Sequence, residues 1–252
     1  IFYLGLWSFI GYLKLNSNNI ADEFLGIIEE FIGEKKTIIF PSFTSKEFIE
    51  TKKFDIKLSI PRESGIVPTS ALISGKYFRT HQPLHSYLVK GPHENEVKKL
   101  SLDTSWGKGS ILSWLSEKNA RICVIGIPWR IGCSYFHRFE EIYQVPWRYY
   151  KIFNGEFYNN NKYIGSISEK KFAGPLSIKF KYDYYPIEKL MNQNGIILKG
   201  KNDLFSIQSS LTSDIDIVCK NFFETDPWEI IVEKENIKKW IKEMKATEKI
   251  TN

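Results

Sequence analysis

The fold class is set by one apolar run, Ile122-Cys123-Val124-Ile125-Gly126-Ile127. Alternate residues of a strand point to opposite faces, and here both faces are apolar, which is typical of a strand in the middle of a sheet covered by helices. Upstream, apolar residues from Ile20 to Ile32 recur at helical spacing, with Asn18 or Asn19 as N-cap and Gly33 as terminator. Thr37 to Phe40 then predicts a buried strand that ends at Pro41. Helices alternating with such strands predict an α/β layered domain.

The second half of the chain has a different pattern of residue types. After Pro146 come short aromatic segments, separated by Asn, Gly and Pro, that predict antiparallel strands or long loops. These segments are Trp147 to Phe153, Glu156 to Tyr163 and Ile178 to Tyr185. Asn159 to Asn161 predicts a turn, and the helical pattern returns from Asn236 to Lys245. We therefore expect one domain over 1–252, with a cofactor-binding and catalytic part (1–145) and an acceptor-side part (146–252).

Composition limits the class of protein and of partner. With 42% hydrophobic residues among 252, the chain can bury a large core, and no run reaches the ~18 apolar residues of a membrane span. Cys123, Cys133 and Cys219 are few and odd in number, which favours a reducing compartment, and we expect the cytoplasm. A formal net charge of +6 favours anionic partners such as a nucleotide or a phosphorylated cofactor.

The segment from Cys133 to Glu141 carries the main chemical signal. In a helix, positions three and four apart share a face, so His137 would meet Glu140 or Glu141. An imidazole beside a carboxylate is the usual arrangement of a general base and its helper. The competing interpretation is a histidine that only packs or caps within an aromatic helix.

Two further segments are candidates for a phosphate or cofactor site. The first is Phe78-Arg79-Thr80-His81-Gln82-Pro83-Leu84-His85-Ser86, and the second is Asp103-Thr104-Ser105-Trp106-Gly107-Lys108-Gly109-Ser110. Ser110 is placed to cap a helix from Ile111 to Glu117, and a lysine between two glycines could meet a phosphate there. A plain turn and cap explains the second segment equally well. His81 and His85 have zinc-ligand spacing, but Pro83 between them disfavours the helix that this requires, so we expect no metal.

Taken in order, these segments resemble the aminoglycoside 3-N-acetyltransferase family. The family pattern runs a strand into Pro-Thr-Phe-Thr, matched by Phe40 to Thr44, and continues with an Arg-Ser/Thr-x-His/Asn-Pro-x-His/Ala-Ser segment, matched by Arg79 to Ser86 with Gln82 as a departure. An Asp-x-x-x-Gly-x-x-Ser turn is matched by Asp103 to Ser110, and a Thr-x-Leu-His-x-x-Glu helix by Ser134 to Glu140. The segment Ile1 to Ile10 lacks the His-Ser-Ser-Leu motif that members of the family usually have at this position.

The resemblance implies a three-layer α/β/α sandwich with a mixed sheet that transfers acetyl from acetyl-CoA to an amino group of a sugar. At matching positions His137 would be the general base and Glu140 the residue that orients it, with Glu141 in reserve as an acceptor contact. Thr44 would face the thioester oxygen. Arg79, Lys108 and Ser110 would hold CoA phosphates, and Ser42 and Ser86 would line the pantetheine arm. A Cys133 nucleophile with ping-pong transfer is a less favoured route.

The sequence leaves more than one class of acceptor open. Because aminoglycosides are polycations and this chain is basic, we expect an anionic or nucleotide-linked amino sugar of surface-polysaccharide or glycan biosynthesis, contacted by Trp147, Arg148 and Tyr149. One alternative is an aminoglycoside acceptor and antibiotic resistance. Another is a module without catalysis that binds nucleic acid or glycan on Trp147, Tyr149 and Tyr150.

Overall fold

The structure is a computed structural model that describes residues 1–5, 19–200 and 206–250. Its strands, numbered in chain order, are β1 Phe2–Leu4, β2 Ile38–Phe43, β3 Lys53–Asp55, β4 Phe78–Arg79, β5 His85–Lys90, β6 Arg121–Ile125, β7 Tyr149–Asn159, β8 Lys162–Ala173, β9 Leu198–Lys199 and β10 Ile207–Leu211. Its α-helices are α1 Ile20–Ile32, α2 Ser45–Thr51, α3 Ile66–Ile73, α4 Glu94–Val97, α5 Ile111–Glu117, α6 Trp129–Gly132, α7 His137–Ile142, α8 Tyr185–Gln193, α9 Thr212–Thr225, α10 Lys234–Glu243 and α11 Lys245–Ile250. Short 3₁₀ helices lie at Arg62–Ser64, Ser134–Phe136 and Pro227–Ile230.

The described strands pair into three sheets with mixed directions. One has the order β1-β6-β10-β9, the second β2-β5-β4 and the third β3-β7-β8. β6 lies between β1, to which it is parallel, and β10, to which it is antiparallel. The predicted α/β class with mixed pairing is confirmed, as is the central position of the apolar strand.

The largest core cluster joins the two halves of the chain. It contains Ile111 and Val124 from the first half, and Trp147, Phe172 and Ile215 from the second. The division at residue 145 stays a prediction, and the core runs across it. None of the helices formed by the described residues is long and apolar enough to cross a membrane.

Helices α1 and α5 begin and end where the sequence indicates. Helix α1 buries Phe24, Leu25 and Ile28, and Gly33 ends it with φ 70° and ψ 171°, a combination that strongly favours glycine. Asn19 is at the N-cap position, but its side chain makes no capping hydrogen bond. Helix α5 spans the predicted residues, and the Ser110 hydroxyl accepts a hydrogen bond from the Ser113 N–H, which confirms the predicted cap.

The predicted end of strand β2 is wrong, whereas the segment from Ile178 to Tyr185 takes one of its two predicted forms. Strand β2 does not end at Pro41 but continues through it to Phe43, with Pro41 opposite Tyr87 of β5. β2 is an edge strand of its sheet, and a proline without an N–H is tolerated there. The segment from Ile178 to Tyr185, predicted as a strand or a long loop, is a loop with an isolated bridge at Tyr182 that leads into α8.

The long hairpin of β7 and β8 accounts for the other aromatic segments. Its strands pair antiparallel from Tyr149 opposite Ala173 to Asn159 opposite Lys162. Asn160 and Asn161 form the turn with φ of 50° and 62°, a conformation that asparagine tolerates well. The predicted turn is thus confirmed. Residues 6–10 of the apolar opening lie outside the described residues.

Candidate active site

His137 and Glu140 meet as the helical spacing predicted. His137 is the first residue of α7, directly after the 3₁₀ turn Ser134–Phe136, and its Nδ1 lies 2.5 Å from Glu140 Oε2. Tyr184 OH and Arg148 Nη2 also lie 2.8 Å and 3.1 Å from Nδ1, but both contact the carboxylate as well. Because a carboxylate can only accept, we assign the Nδ1 hydrogen to Glu140. The imidazole is therefore held with a basic Nε2 free to receive a proton.

Glu140 is the buried centre of this arrangement. Its side chain has no solvent exposure, and besides His137 it accepts hydrogen bonds from Trp147 Nε1 at 3.0 Å and Tyr184 OH at 2.7 Å. Arg148 Nη2 lies 2.8 Å from Oε2 in a buried ion pair. Burial alone would raise the pKa of Glu140, but the Arg148 charge and the His137 hydrogen bond lower it below its usual value of 4.5. Glu140 is therefore a carboxylate throughout the neutral range.

The surroundings of His137 favour its neutral form. Burial and the nearby Arg148 charge lower its pKa below 6.5, although Glu140 opposes the shift. Its side chain is 17% exposed, and it lines a cavity of about 460 Å³. The lining also includes Phe43, Ser134 and Tyr182, together with charged Arg62, Glu63 and Arg130. The imidazole thus reaches a space that could receive a substrate.

The residues predicted to contact the acceptor are buried behind this pair. Trp147 has no exposure and Arg148 only 5%, and both side chains hydrogen bond or pair with Glu140. Tyr149 is 3% exposed and packs near the Trp240 ring at 6.0 Å. A contact with an acceptor stays a prediction for all three. As platforms for nucleic-acid bases the prediction is wrong for Trp147 and Tyr149, because buried rings offer no face to stack on.

Glu141 has a role that its place in the sequence did not indicate. It is 3% exposed and accepts hydrogen bonds from Thr104 Oγ1 at 2.7 Å, the Gly107 N–H at 3.0 Å and Tyr150 OH at 3.3 Å. A Cβ at Gly107 would lie 2.4 Å from its Oε1, so glycine lets the carboxylate approach. Glu141 holds the turn before α5, and its contact with an acceptor stays a prediction.

The predicted CoA contacts at Arg79, Ser42 and Ser86 form a closed buried network instead. Arg79 is 3% exposed and donates to the carbonyls of Ser42 and Ser59 and to Ser86 Oγ. Ser86 Oγ in turn donates to the Ser42 carbonyl. Burial lowers the pKa of Arg79 to about 9. The network joins β2, β4 and β5, and a contact with CoA stays a prediction.

The other predicted cofactor residues divide between surface and core. The Thr44 hydroxyl, predicted to face the thioester oxygen, donates to the Pro83 carbonyl at 2.7 Å and is 2% exposed. Lys108 is exposed. Ser110 is 1% exposed and, besides capping α5, donates to the Trp106 carbonyl. None of these three lines the cavity beside His137.

Sequence reasoning missed a second pair of imidazole and carboxylate. His85 Nδ1 lies 3.0 Å from Glu169 Oε1, and Glu169 also accepts from Ser105 Oγ at 2.6 Å and from the Leu84 N–H at 2.7 Å. Trp106 separates the two pairs, with its ring 4.2 Å from His85 and 5.1 Å from His137 between centroids. The sequence hint was the His85 position in the family segment, whereas nothing near it in the chain indicated Glu169, 84 residues away.

The site offers neither a metal cluster nor an activated thiol. The ranges 1–5, 19–200 and 206–250 contain no group of three or more His, Cys, Asp or Glu residues that could hold a metal ion. Cys133 lines the cavity but is only 4% exposed, and burial raises the pKa of its thiol to about 12. A thiol with that pKa supplies little thiolate, which disfavours the ping-pong route.

Solved structures share this fold at low sequence identity. The aminoglycoside acetyltransferase AAC(3)-IIb matches with a TM-score of 0.70 and 15% identity, over 88% of this chain and 89% of its own. AAC-IIIb, solved as a binary complex with CoASH, matches with 0.67 and 17%, over 81% and 83%. AAC-VIa bound to sisomicin matches with 0.68 and 14%, over 88% and 89%.

At these identities the likeness to solved structures shows the fold alone. No curated protein sequence matches the chain significantly. The family is shown by a different comparison, because the family model described as aminoglycoside 3-N-acetyltransferase matches residues 10–202. The chain belongs to the aminoglycoside 3-N-acetyltransferase family.

Proposed function

We propose that this protein transfers the acetyl group of acetyl-CoA to an amino group of an amino sugar of the aminoglycoside type. The observation that carries the proposal is the His137 and Glu140 pair, with a free Nε2 at a cavity, in a chain of this family. Enzyme class and acyl donor follow from the family. AAC-IIIb, a structural neighbour, is solved with CoASH.

The proposed chemistry requires a base that is neutral when the amine attacks. An ammonium is not nucleophilic, so the acceptor must lose one proton before attack and another as the amide forms. His137 takes a proton at Nε2 while Glu140 stabilises the imidazolium that results. Arg148, Trp147 and Tyr184 fix the carboxylate, and the pair therefore keeps its geometry through the reaction.

The cavity suits parts of acetyl-CoA. Phe43, Ile127 and Ile131 give it apolar walls for the pantetheine arm, and Arg62 and Arg130 supply guanidinium groups that suit phosphates. Bound acetyl-CoA supplies the thioester carbonyl that the amine attacks. We assign these cavity residues to CoA ahead of the buried Arg79 network, because they face open space.

The acceptor class has two candidates. Family membership favours aminoglycosides, and the neighbour AAC-VIa is bound to sisomicin. The nucleotide-linked or other anionic amino sugar expected from the basic composition is the second candidate. The formal net charge of +6 favours it, since aminoglycosides carry positive charge.

A purified-enzyme panel tests both candidates. Aminoglycosides and nucleotide-linked amino sugars are each offered with acetyl-CoA, and CoASH release is measured with product mass. We expect transfer to aminoglycosides, and transfer only to nucleotide-linked sugars would replace the first candidate by the second. His137→Ala should lower kcat by about 10²- to 10⁴-fold, the usual contribution of a general base.

The control for this variant is His93→Ala. The His93 side chain is 49% exposed and contacts Glu96 and Trp114 on the surface. Its loss should leave turnover unchanged. Retention of normal turnover in His137→Ala would refute its assignment as the base.

A further inference from the structure

Lys171 contacts the second pair of imidazole and carboxylate, His85 and Glu169. Strand β8 places Glu169 and Lys171 on one face, two residues apart. Lys171 Nζ lies 3.2 Å from His85 Nε2, while Glu169 holds the opposite ring nitrogen at 3.0 Å. The Glu169 contact makes His85 Nδ1 the donor, so Nε2 accepts from the ammonium. His85 and Glu169 thus hold the Lys171 ammonium in a defined position.

The charged groups around Lys171 come from every element packed against it. They are Glu169 on its own strand, Lys151 directly opposite on β7, His85 on β5, Glu63 in the 3₁₀ turn, Arg148 before β7 and His137 on α7. Burial and the Arg148 charge lower the pKa of Lys171 to about 8, against the opposite effect of Glu169 and Glu63. An acid of this strength can give up a proton in the neutral range.

Lys171 is not among the lining residues of the cavity that contains His137, but two neighbours connect it to that cavity. Glu63 lines that cavity and is one of the charged neighbours of Lys171. The Trp106 ring, 5.1 Å from the His137 ring, is 5.9 Å from Lys171 Nζ. The ammonium and the His137 imidazole therefore flank the same indole.

Ser45 does not compete for the role of reacting group. Its Oγ is 3.2 Å from His85 Nε2 but also contacts the Leu84 carbonyl at 3.1 Å. A hydroxyl has one proton to donate, and the carbonyl is its acceptor when Lys171 donates to His85. The lysine is thus the group that His85 can serve.

The proton count of acetyl transfer leaves a task for such a group. The acceptor ammonium loses two protons, the bond between nitrogen and acetyl carbon forms, and the bond between carbon and sulfur breaks. Sulfur takes the electron pair and needs one proton to leave as CoASH, and one proton is released overall. His137 accepts a proton from nitrogen, and the proton for sulfur comes either from that imidazolium or from a second acid.

We propose that Lys171 is the catalytic acid that protonates the departing CoA sulfur, and that His85 and Glu169 position it. The inference rests on the proposed acetyl transfer. After each turnover the neutral Lys171 regains a proton from solvent, and the imidazolium of His137 releases its own. A thiol has a pKa of about 8.5, so Lys171 is matched to the group that it protonates.

The first test reads the bound thiol without turnover. CoASH is bound to the protein, and its thiolate is followed by ultraviolet absorbance against pH. An adjacent ammonium stabilises the thiolate, so we expect a lower thiol pKa with wild type than with Lys171→Met. If CoASH does not bind, the proposed function fails. If it binds and its thiol pKa is the same with both proteins, the assignment of Lys171 fails while acetyl transfer stands.

The second test separates proton donation from charge. Lys171→Met should lower kcat at least tenfold and remove the decline of wild-type kcat above about pH 8, where the acid loses its proton. Lys171→Arg keeps the positive charge but cannot release a proton, and it should lower kcat as much. Full activity of Lys171→Arg would overturn the proposal.

The matched control is Lys162→Met, at the exposed far end of the same strand. It should show wild-type kcat and pH dependence. Circular dichroism of each variant verifies its fold, and Lys171→Arg preserves the charge if Lys171→Met does not fold. Wild-type kcat and an unchanged alkaline decline in a folded Lys171→Met would also refute the proposal.

Discussion

Glu140→Gln should damage stability and turnover together. Four donors converge on the carboxylate, from His137, Trp147, Arg148 and Tyr184. An amide replaces one acceptor oxygen by a donor NH₂ and removes the charge that compensates Arg148. Because both partners are buried, breaking the ion pair costs about 3–5 kcal/mol in free energy of unfolding.

The magnitude converts directly into a melting temperature. For a domain of this size each kcal/mol shifts Tm by about 2–4 °C, so we expect a fall of about 6–20 °C in thermal unfolding followed by circular dichroism. Glu50→Gln, at an exposed position of α2, is the control and should melt as wild type does. A loss under about 1 kcal/mol would show that Glu140 is not a paired carboxylate, and would refute the reasoning.

The pH dependence gives the same prediction a second readout. The folded pKa of Glu140 is lowered, so its stabilisation is present above the unfolded value of about 4.5 and is lost as pH falls below it. The stability gap between wild type and Glu140→Gln should be constant near neutrality and shrink in acid. Adding Arg148→Met to Glu140→Gln removes the uncompensated charge and should recover part of the Tm, but not the turnover.

Three further outcomes are expected. Gly107→Ala should lower the free energy of unfolding in urea by about 1–3 kcal/mol, because the new Cβ would overlap Glu141 Oε1. Gly26→Ala in α1 has open space around it and should be neutral or stabilising. Equal effects of the two substitutions would contradict this prediction. Cys133→Ala should keep near-normal turnover. A large fall in turnover of this variant would support the ping-pong route through a cysteine nucleophile. The folded pKa of His85 is about 3, so stability should fall between pH 6.5 and 3 by up to about 1.4 kcal/mol per pH unit, and His85→Gln should flatten that slope in urea unfolding; an unchanged slope would show that His85 is not held neutral.

Local patterns predicted the elements whose causes are local. Helix α5 has its cap and its apolar face within the same short segment, and both were predicted. The pair of His137 and Glu140 depends only on helical spacing, so its geometry was also within reach. Pro41 misled because its tolerance depends on β2 being an edge strand, which is a property of the sheet and not of the segment.

The rest of the site depends on strand pairing over long distances. The contact of Glu169 with His85 requires the hairpin of β7 and β8 to dock beside β5, and no spacing rule connects residues so far apart. Tyr184 reaches Glu140 from the N-cap of α8, 44 residues along the chain, which no spacing rule connects either. The burial of Arg79 and Trp147 could not be predicted either, because the type of a residue does not determine whether its side chain faces solvent or the core.

The hydrogen bonds of Glu140 have a consequence for synthesis of the chain. Its partners extend to Tyr184, and the second imidazole depends on Glu169. A nascent chain that has emerged only to residue 145 holds His137 and Glu140 without Arg148, and its carboxylate lacks the charge that keeps it ionised when buried. The candidate site is therefore incomplete until the chain has been synthesised through Tyr184, and we expect a fragment that ends at residue 145 to be inactive.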